Sequence, residues 1–409
     1  MSRTPHDPSS ARPARTRRPT PGHAPSPLKD ANLQIVFGVT VMAILGTFTI
    51  TPALPRIVRE MGISQAEIGL VITVFTLPGI FIMPLIGALA DRFGRREVVG
   101  ACLVLFGLGG LGCFWAEDFK ALLVLRFVQG IGAAPLSSLN IAFISDLYSG
   151  RTRTAAMGYN QAVLSLGAAG FTAVGGALAT LGWRLPFALP LLGLPIAWLV
   201  VRVLKTPAAP APPRLSDYLA GARRTLGQRP ILGSYALTIL GLAVVWGAYF
   251  TYLPILMGLK LDQPPAIIGL VMTAMTLGSA LSAALVGKLS ARVSGRNLLR
   301  VGFLLYGLAL TVVPWVSQPW LLAAPVAAVG LAQGLFIPTI QNFLGQFSSG
   351  ENRGLVMAFY GSAIRAGQTL GPVSMGLAFP WVGVDGVFFV GAGAAFALAG
   401  LVTIATARS

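Results

Sequence analysis

The sequence is built from uninterrupted hydrophobic blocks of about 20 residues or more, the length a helix needs to cross a hydrocarbon core of about 30 Å. Inside such a core the backbone must satisfy its own hydrogen bonds, so the blocks form either helices or the strands of a closed barrel. Barrel strands would show short alternating segments, and these blocks do not alternate. Only 11% of the residues are charged, against roughly 25% in soluble globular chains. We therefore predict an all-α integral membrane protein.

Twelve hydrophobic blocks follow one another along the chain, which predicts twelve transmembrane helices. Their expected limits are 32–53, 66–89, 97–116, 121–144, 154–179, 185–204, 231–257, 265–290, 297–316, 320–346, 352–379 and 384–406. The 29 prolines and 49 glycines agree with this prediction, because both residues are commoner in transmembrane helices than in soluble ones.

The basic residues are distributed unequally between the two sides of the membrane. When the loops are assigned to alternate sides, most of the 30 Lys and Arg residues share the side of the N-terminal tail. Positive residues stay in the cytoplasm during insertion, so we expect a multi-pass protein of the cell membrane with both termini cytoplasmic. The net charge of +17 is then a topology signal, and we expect no nucleic-acid partner.

The chain also repeats itself at an offset of 200 residues. Ile68-Gly69-Leu70-Val71 returns as Ile268-Gly269-Leu270-Val271, and Gly87-x-Leu89-x-x-Arg92 returns as Gly287-x-Leu289-x-x-Arg292. Six spans separate the copies, so both copies insert in the same orientation and predict two parallel six-helix halves. The expected units are a disordered cytoplasmic tail at 1–31, one half at 32–204, a cytoplasmic linker at 205–230 and a second half at 231–409.

Three motifs carry a family resemblance. Gly87-Ala-Leu-Ala-Asp91-Arg92-Phe-Gly94-Arg95-Arg96, after the second block, resembles the signature loop of the major facilitator superfamily. Leu125-Arg126-Phe-Val-Gln129-Gly130 in the fourth block is similar to that family's second motif, and Gly367-Gln-Thr-Leu-Gly371-Pro372 to its twelve-helix drug:proton antiporter branch. One departure is that Phe171-Thr172 stands in the fifth block where that branch usually carries Gly-Pro.

The resemblance implies the major facilitator fold and a secondary transporter that works by alternating access, exporting drugs or metabolites in exchange for protons. It also implies that Asp91 faces the N-terminus of span eleven, where a helix dipole favours a negative charge. This contact would form in one conformation and break in the other. The predicted conformational latch comprises Gly87, Asp91, Arg92, Gly94, Arg95, Arg96, Asp146, Gly371 and Pro372.

Polar and aromatic residues inside the spans are candidates for a substrate cavity, since small-molecule sites combine an apolar surface with a few placed polar groups. Arg126 and Arg365 are the cations well inside the spans, and a buried cation in a membrane normally faces a cavity or a partner. A hydrogen-bonded structural arginine is the alternative for both, and for Arg126 a side chain that snorkels to the outer surface is another. The predicted cavity residues are Arg126, Asn140, Asn160, Gln161, Trp246, Tyr249, Phe250, Gln333, Gln341, Asn342, Arg365 and Gln368.

The acidic residues all fall in tails, loops or helix ends, with Asp118 and Asp262 in positions expected for helix caps. A cavity that holds Arg365 and no carboxylate favours neutral or anionic substrates. Proton coupling would then have to use Asp91, Asp146 or a residue nearer the cavity mouth.

The sequence holds no constellation for catalysis. His6 and His23 both lie in the tail, so no histidine site for a metal or for acid–base chemistry is expected, and we predict no enzyme activity and no cofactor. Gly107-Leu-Gly109-Gly110-Leu-Gly112 matches a dinucleotide-binding pattern only formally, because it lies inside a hydrophobic block, where close helix packing explains it.

We expect a monomer whose partners are a small-molecule substrate, membrane lipids and, for an antiporter, protons. A transporter of lipids or lipid-linked anions and a non-transporting sensor or scaffold remain alternatives.

Overall fold

The computed structural model describes residue 28 and residues 30–204, 227–348 and 353–407, so most of the predicted tail and linker lies outside the described residues. We number the membrane-spanning helices in chain order. They are α1 Ala31–Met61, α2 Leu70–Phe93, α3 Arg95–Phe114, α4 Phe119–Leu147, α5 Gly150–Leu181, α6 Leu185–Arg202, α7 Arg229–Lys260, α8 Pro265–Ser290, α9 Gly295–Trp315, α10 Ala323–Gln346, α11 at 353–382 and α12 at 384–407.

The last two helices meet at Gly383. The helical run Arg353–Ala407 has 55 residues, about 80 Å of helix, which is far longer than a bilayer is thick. Its backbone leaves helical geometry at Gly383, with φ 65° and ψ −174°, a region that glycine enters without steric cost. The run therefore crosses the membrane twice, and the prediction of twelve transmembrane helices is confirmed.

Several spans are irregular near proline, among them α1 and α7. In α1 the α-helix ends at Phe48, and a 3₁₀ turn at Thr51–Ala53 precedes the final turns. In α7 the segments Val245–Tyr252 and Leu256–Lys260 are wound as π-helix on either side of Pro254. Proline cannot donate the normal helical hydrogen bond, so the backbone near it must pair differently.

The helices form two groups. Within the first half α3 packs on α4 and α6, and α1 packs on α5; within the second half α8 packs on α10, and α7 packs on α11. The groups meet along two helix pairs, α5 with α8 and α2 with α11. We call the membrane end that carries the start of α1 and the end of α12 the terminal end, and the opposite one the distal end.

Glycine contacts bring the halves together at the distal end. A Cβ atom on Gly269 of α8 would lie 2.6 Å from the Thr172 carbonyl oxygen of α5, and one on Gly176 would lie 2.4 Å from the Pro265 carbonyl oxygen. Real Cβ atoms do not approach backbone so closely, so these contacts require glycine. The α2–α11 pair repeats the arrangement, because Gly69 abuts Pro372.

These contacts carry the sequence repeat into the tertiary structure. Gly69 and Gly269 are equivalent at the offset of 200 residues, and so are their partners Pro372 and Thr172. The two interfaces are thus related by exchanging the halves, which is the relation that a parallel repeat produces. Phe171-Thr172, the departure in the fifth block, lies at this crossing.

The halves are apart at the terminal end. Nothing lies within 4 Å of a Cβ built on Gly87 of α2, Gly158 of α5, Gly287 of α8 or Gly354 of α11. The hydrophobic core shows the same difference. One cluster joins Leu54, Ile68 and other distal residues of the first half to the second half, whereas the terminal part of the first half has its own cluster. The structure is therefore closed distally and open at the terminal end.

Arg126 lies in the interior of the first half and is fully buried. Its guanidinium donates to the carbonyl oxygens of Gly46 in α1 at 3.0 Å and Val71 in α2 at 3.2 Å, and to Gln129 Oε1 at 2.8 Å. It also lies 4.0 Å from the centre of the Phe75 ring, a favourable cation–π contact. A cation so fully paired binds three helices of this half together.

Arg126 gives a prediction about stability. Arg126→Met should lower the free energy of unfolding by about 3 kcal/mol, because buried acceptors lose their donors. Thermal melting of the purified protein in detergent would show this as a lower melting temperature. The matched variant Arg365→Met removes an arginine with one described hydrogen bond and should change the melting temperature less. Equal melting temperatures for both variants would rule out the structural role of Arg126.

The distal contact gives a second prediction. Gly269→Leu should force α5 and α8 apart and shift the protein towards a distally open conformation, because the added side chain meets backbone atoms. Gly287→Leu on the same helix is the control, since that position faces open space. Spin labels at the exposed distal positions 117 and 318, one in each half, would report the separation of the halves. An unchanged distance distribution in Gly269→Leu would show that this contact does not hold the distal end closed.

Candidate functional site

A candidate site lies between the halves, where the distal contacts end and the terminal opening begins. At this depth in the membrane, side chains of α2 and α11 contact each other. Thr76 and Thr369 share a hydrogen bond of 2.8 Å between their hydroxyl groups, and Thr73 Oγ1 donates to the Thr369 carbonyl oxygen at 3.3 Å. One turn nearer the terminal end, the stem of Arg365 lies against the backbone of Gly79.

Aromatic side chains close the distal end of this space. Phe48 of α1 meets Phe250 of α7 edge-on, with ring centres 5.6 Å apart, and Trp246 stacks on Phe250 at 4.4 Å. Tyr249 is also buried, and its hydroxyl donates to the Met272 carbonyl oxygen at 3.0 Å. A void of about 10 Å³, room for about one water molecule, remains beside Phe48, Tyr249 and Phe250. The three predicted aromatic residues of α7 therefore form the closed end of the space.

Arg365 lies on the α2–α11 boundary and is partly exposed. Its described hydrogen bond runs from Nη1 to Gln368 Oε1 at 3.1 Å, one turn along the same helix. The structure thus brings together the predicted pair Arg365 and Gln368. Arg126, by contrast, is buried within the first half and does not line the space. Its contacts are those of a hydrogen-bonded structural arginine.

The position of Gln368 shows which way the Arg365 guanidinium turns. The face of α11 with Gly361, Arg365 and Thr369 meets α2, since these residues contact Met83, Gly79 and Thr76. The flank with Leu370 and Leu377 is exposed, as expected for lipid contact. Gln368 lies on the other flank, so its hydrogen bond draws the guanidinium away from lipid and towards the centre between the halves.

A cluster of three polar residues lies in the first half at a similar depth. Asn160 Oδ1 accepts hydrogen bonds from Thr40 Oγ1 and, at 3.3 Å, from Asn140 Nδ2, and Asn140 also donates to Thr40. The Asn140 Oδ1 atom is buried without a hydrogen-bond partner among the described residues. We call these residues the amide cluster. It joins α1, α4 and α5 and leaves one acceptor for a further donor.

The remaining predicted cavity residues do not form one group. Gln333 accepts a hydrogen bond from Tyr306, which places it between α10 and α9 inside the second half. Gln161, Gln341 and Asn342 are exposed in the terminal halves of α5 and α10. Sequence periodicity alone does not separate these positions. A helix face repeats with the same period whether it contacts lipid, a cavity or a neighbouring helix.

The predicted latch divides between the two ends. Arg95 and Asp146 form an ion pair that joins the start of α3 to the end of α4 at the terminal end. Arg96 donates to the Leu204 carbonyl oxygen at 3.3 Å, which ties α3 to the end of α6. Arg92 is exposed, and its guanidinium lies 5.5 Å from the Phe93 ring centre. These contacts hold the terminal loops of the first half together.

The backbone of the latch depends on Gly94, whose φ of 91° suits glycine and lets the chain turn into α3. Gly87 faces open space, and the Asp91 side chain lies outside the described residues. Gly371 and Pro372 lie at the distal contact, where Gly371 abuts α7 and Pro372 abuts Gly69. They are therefore far from Asp91 in this conformation.

Tyr148 adds a contact at the terminal end, in the short connection between α4 and α5. Its hydroxyl donates to the Asp30 carboxylate just before α1. Burial, and then this hydrogen bond and the negative charge of Asp30, raise the pKa of Tyr148 above its ordinary value. The phenol therefore stays neutral and able to donate at neutral pH.

A distal network that the sequence did not indicate joins α1 to the second half. Arg59 donates to the Gly258 carbonyl oxygen at 2.8 Å and pairs with Asp262 at 2.9 Å, across the halves. Arg56 donates to the carbonyl oxygens of Ala179 and Thr180. A cleft of about 420 Å³ lies beside this network. Exposed ion pairs contribute at most about 1 kcal/mol, so the pair of Arg59 with Asp262 adds little to the stability of the closed distal end.

The described carboxylates lie at helix ends or in loops. Asp118 caps α4 by accepting from the Ala121 N–H at 2.8 Å, as predicted. The prediction that Asp262 caps α8 is wrong. That helix begins at Pro265, and its Ala266 N–H donates to Thr180 Oγ1 at 3.1 Å, whereas Asp262 pairs with Arg59 instead.

Comparison with known proteins agrees with this architecture. The chain matches the family model described as Major Facilitator Superfamily over residues 36–266 and 243–408. It is 25% identical over 358 residues to the Bacillibactin exporter of Bacillus subtilis, covering 83% of this chain and 88% of that protein. It is 24% identical over 348 residues to Multidrug resistance protein 2 of the same organism, covering 83% and 86%.

A solved structure shows the same fold at low sequence identity. It is the crystal structure of a bacterial homologue of the human lysosomal transporter Spinster, with a TM-score of 0.74 and 17% identity, covering 94% of this chain and 96% of that chain. The family match extends over both six-helix halves and the connection between them. The protein is a membrane transporter rather than an enzyme, and its chain belongs to the Major Facilitator Superfamily.

Proposed function

We propose that this protein is a proton-coupled exporter that moves small organic molecules out of the cell by alternating access. The observation that carries the proposal is the difference between the two ends of the molecule: Gly176 and Gly269 are in backbone contact distally, whereas Gly158 and Gly287 of the same two helices face open space. A molecule entering from the terminal end could reach Arg365 but not pass the aromatic residues beyond it.

The basic residues favour a cytoplasmic terminal end, so the conformation described here would be open to the cytoplasm. Relatives named as a bacillibactin exporter and a multidrug resistance protein support the outward direction. The alternatives from the sequence, a lipid transporter and a non-transporting sensor, lack such support among the relatives reported above.

Transport can be tested in proteoliposomes that contain the purified protein. We expect accumulation of a fluorescent substrate when an imposed pH gradient drives proton exchange, and no accumulation without the gradient. Empty liposomes with the same gradient are the control, since weak acids and bases redistribute without any protein. Equilibration of the substrate at the same rate without a pH gradient would contradict proton coupling. Binding of the substrate without its transport would favour the sensor.

The proposed latch can be tested at Asp91. Asp91→Asn should slow transport at least about tenfold, because the loss of one charge removes the interaction with the helix dipole of α11, while substrate binding stays unchanged. Asp385→Asn is the control, since it removes a carboxylate that pairs with Lys260 at the distal surface. Transport by Asp91→Asn at the wild-type rate would exclude the latch role.

A further inference from the structure

We infer that the site between the halves binds organic anions and that Arg365 is the residue that recognises their negative group. This inference rests on the proposed transport function, because it names the substrate class of the same site. Its basis is a difference between the two arginines that lie deep within the spans.

The two arginines differ in how many hydrogen-bond acceptors surround them. The guanidinium of Arg126 donates to three acceptors from three helices and is fully buried. Arg365 has a described hydrogen bond to Gln368 alone, and it is partly exposed. A guanidinium carries five N–H donors, so Arg365 retains several donors for a further partner. Its fork geometry suits the two oxygens of a carboxylate or the oxygens of a sulfonate.

Within the part of the chain that the structure describes, no carboxylate forms an ion pair with Arg365. Among the described residues, the ion pairs involve side chains at the helix ends, such as Arg95 with Asp146 and Lys260 with Asp385. The carboxylate of α2 is Asp91, twelve residues from Gly79, which corresponds to about 18 Å along the helix. No carboxylate of the described residues therefore neutralises the positive charge of Arg365 at this depth in the membrane.

Arg365 also lies at a depth that an anion entering from the terminal end can reach. It follows Arg353 by twelve residues, so it lies about 18 Å from the terminal end of α11, near the middle of the membrane. An unpaired cation at this depth is costly, and an anion that enters from the open terminal end would lower that cost. The missing Cβ of Gly79 allows the stem of Arg365 to cross the interface between the halves.

The amide cluster offers a second polar contact for an organic anion, through an acceptor that is buried in this conformation. Thr40, Asn140 and Asn160 lie roughly 10 to 15 Å from the terminal ends of their helices, a depth similar to that of Arg365. The free Asn140 Oδ1 is an acceptor, so it suits a hydroxyl or N–H group of the substrate. An anion with a hydrogen-bond donor at its other end would bridge the two halves.

The test compares binding and transport of charged probes by the wild-type protein and by variants of one arginine. The anionic probes are carboxyfluorescein, salicylate and benzenesulfonate, and the cationic probe is ethidium. Arg365→Gln should weaken anion binding about 10- to 100-fold, the loss expected for hydrogen bonds to a charged group, and Arg365→Lys should retain part of the affinity. Arg353→Gln is the charge-matched control, because it removes an exposed arginine at the start of the same helix. The melting temperature of each variant would report whether it is folded.

Each outcome separates this inference from the proposed function. Arg365-dependent binding of the anions supports the inference, and it does so even when proteoliposomes show no transport, a result that would overturn only the exporter. Gradient-driven transport of ethidium that is equal in wild type and Arg365→Gln, without Arg365-dependent anion binding, overturns the inference and leaves the exporter standing. Failure of the wild type to bind any of the three anions also overturns it.

Discussion

The closed distal end depends on contact between helix backbones. In a bilayer there is little hydrophobic driving force between helices, so association relies on close packing and on small residues that permit it. Gly176 and Gly269 let α5 and α8 touch, and Gly69 lets α2 receive Pro372. The aromatic closure around Phe48 and Phe250 and the surface network around Arg59 form only because these backbones are already close. Opening this end must therefore separate both helix pairs.

The same geometry explains how one protein uses two interior arginines differently. A cation in the membrane needs partners, and Arg126 obtains them from carbonyl oxygens, Gln129 and the Phe75 ring within one rigid half. Arg365 lies on the boundary between the halves, where partners on the other half would change as the halves rock. A fully paired arginine stabilises a half, whereas an underpaired one on a moving boundary is suited to binding a ligand.

Several features of the site could not be predicted from the sequence, for identifiable reasons. The aromatic face of Trp246, Tyr249 and Phe250 was predicted as cavity lining, yet π-helical winding around Pro254 places these side chains in the distal closure. Gln333 was grouped with the cavity, but Tyr306 of a neighbouring helix holds it inside the second half. Helical periodicity shows that a face is polar without showing which neighbour it meets. The distal pairing of Arg59 with Asp262 likewise joins residues about 200 positions apart.

The membrane class, the twelve spans, the parallel halves and the family resemblance can all be read from the sequence alone. These follow from block length, from the offset of 200 residues and from local motifs, all of which are properties of neighbouring residues or of simple repetition. The closed end, the positions of Gly371 and Pro372 and the pairing of each arginine are visible only once the chain is folded. Those outcomes depend on contacts between distant segments, because a rocking fold can place the same helix faces together or apart without any change in sequence.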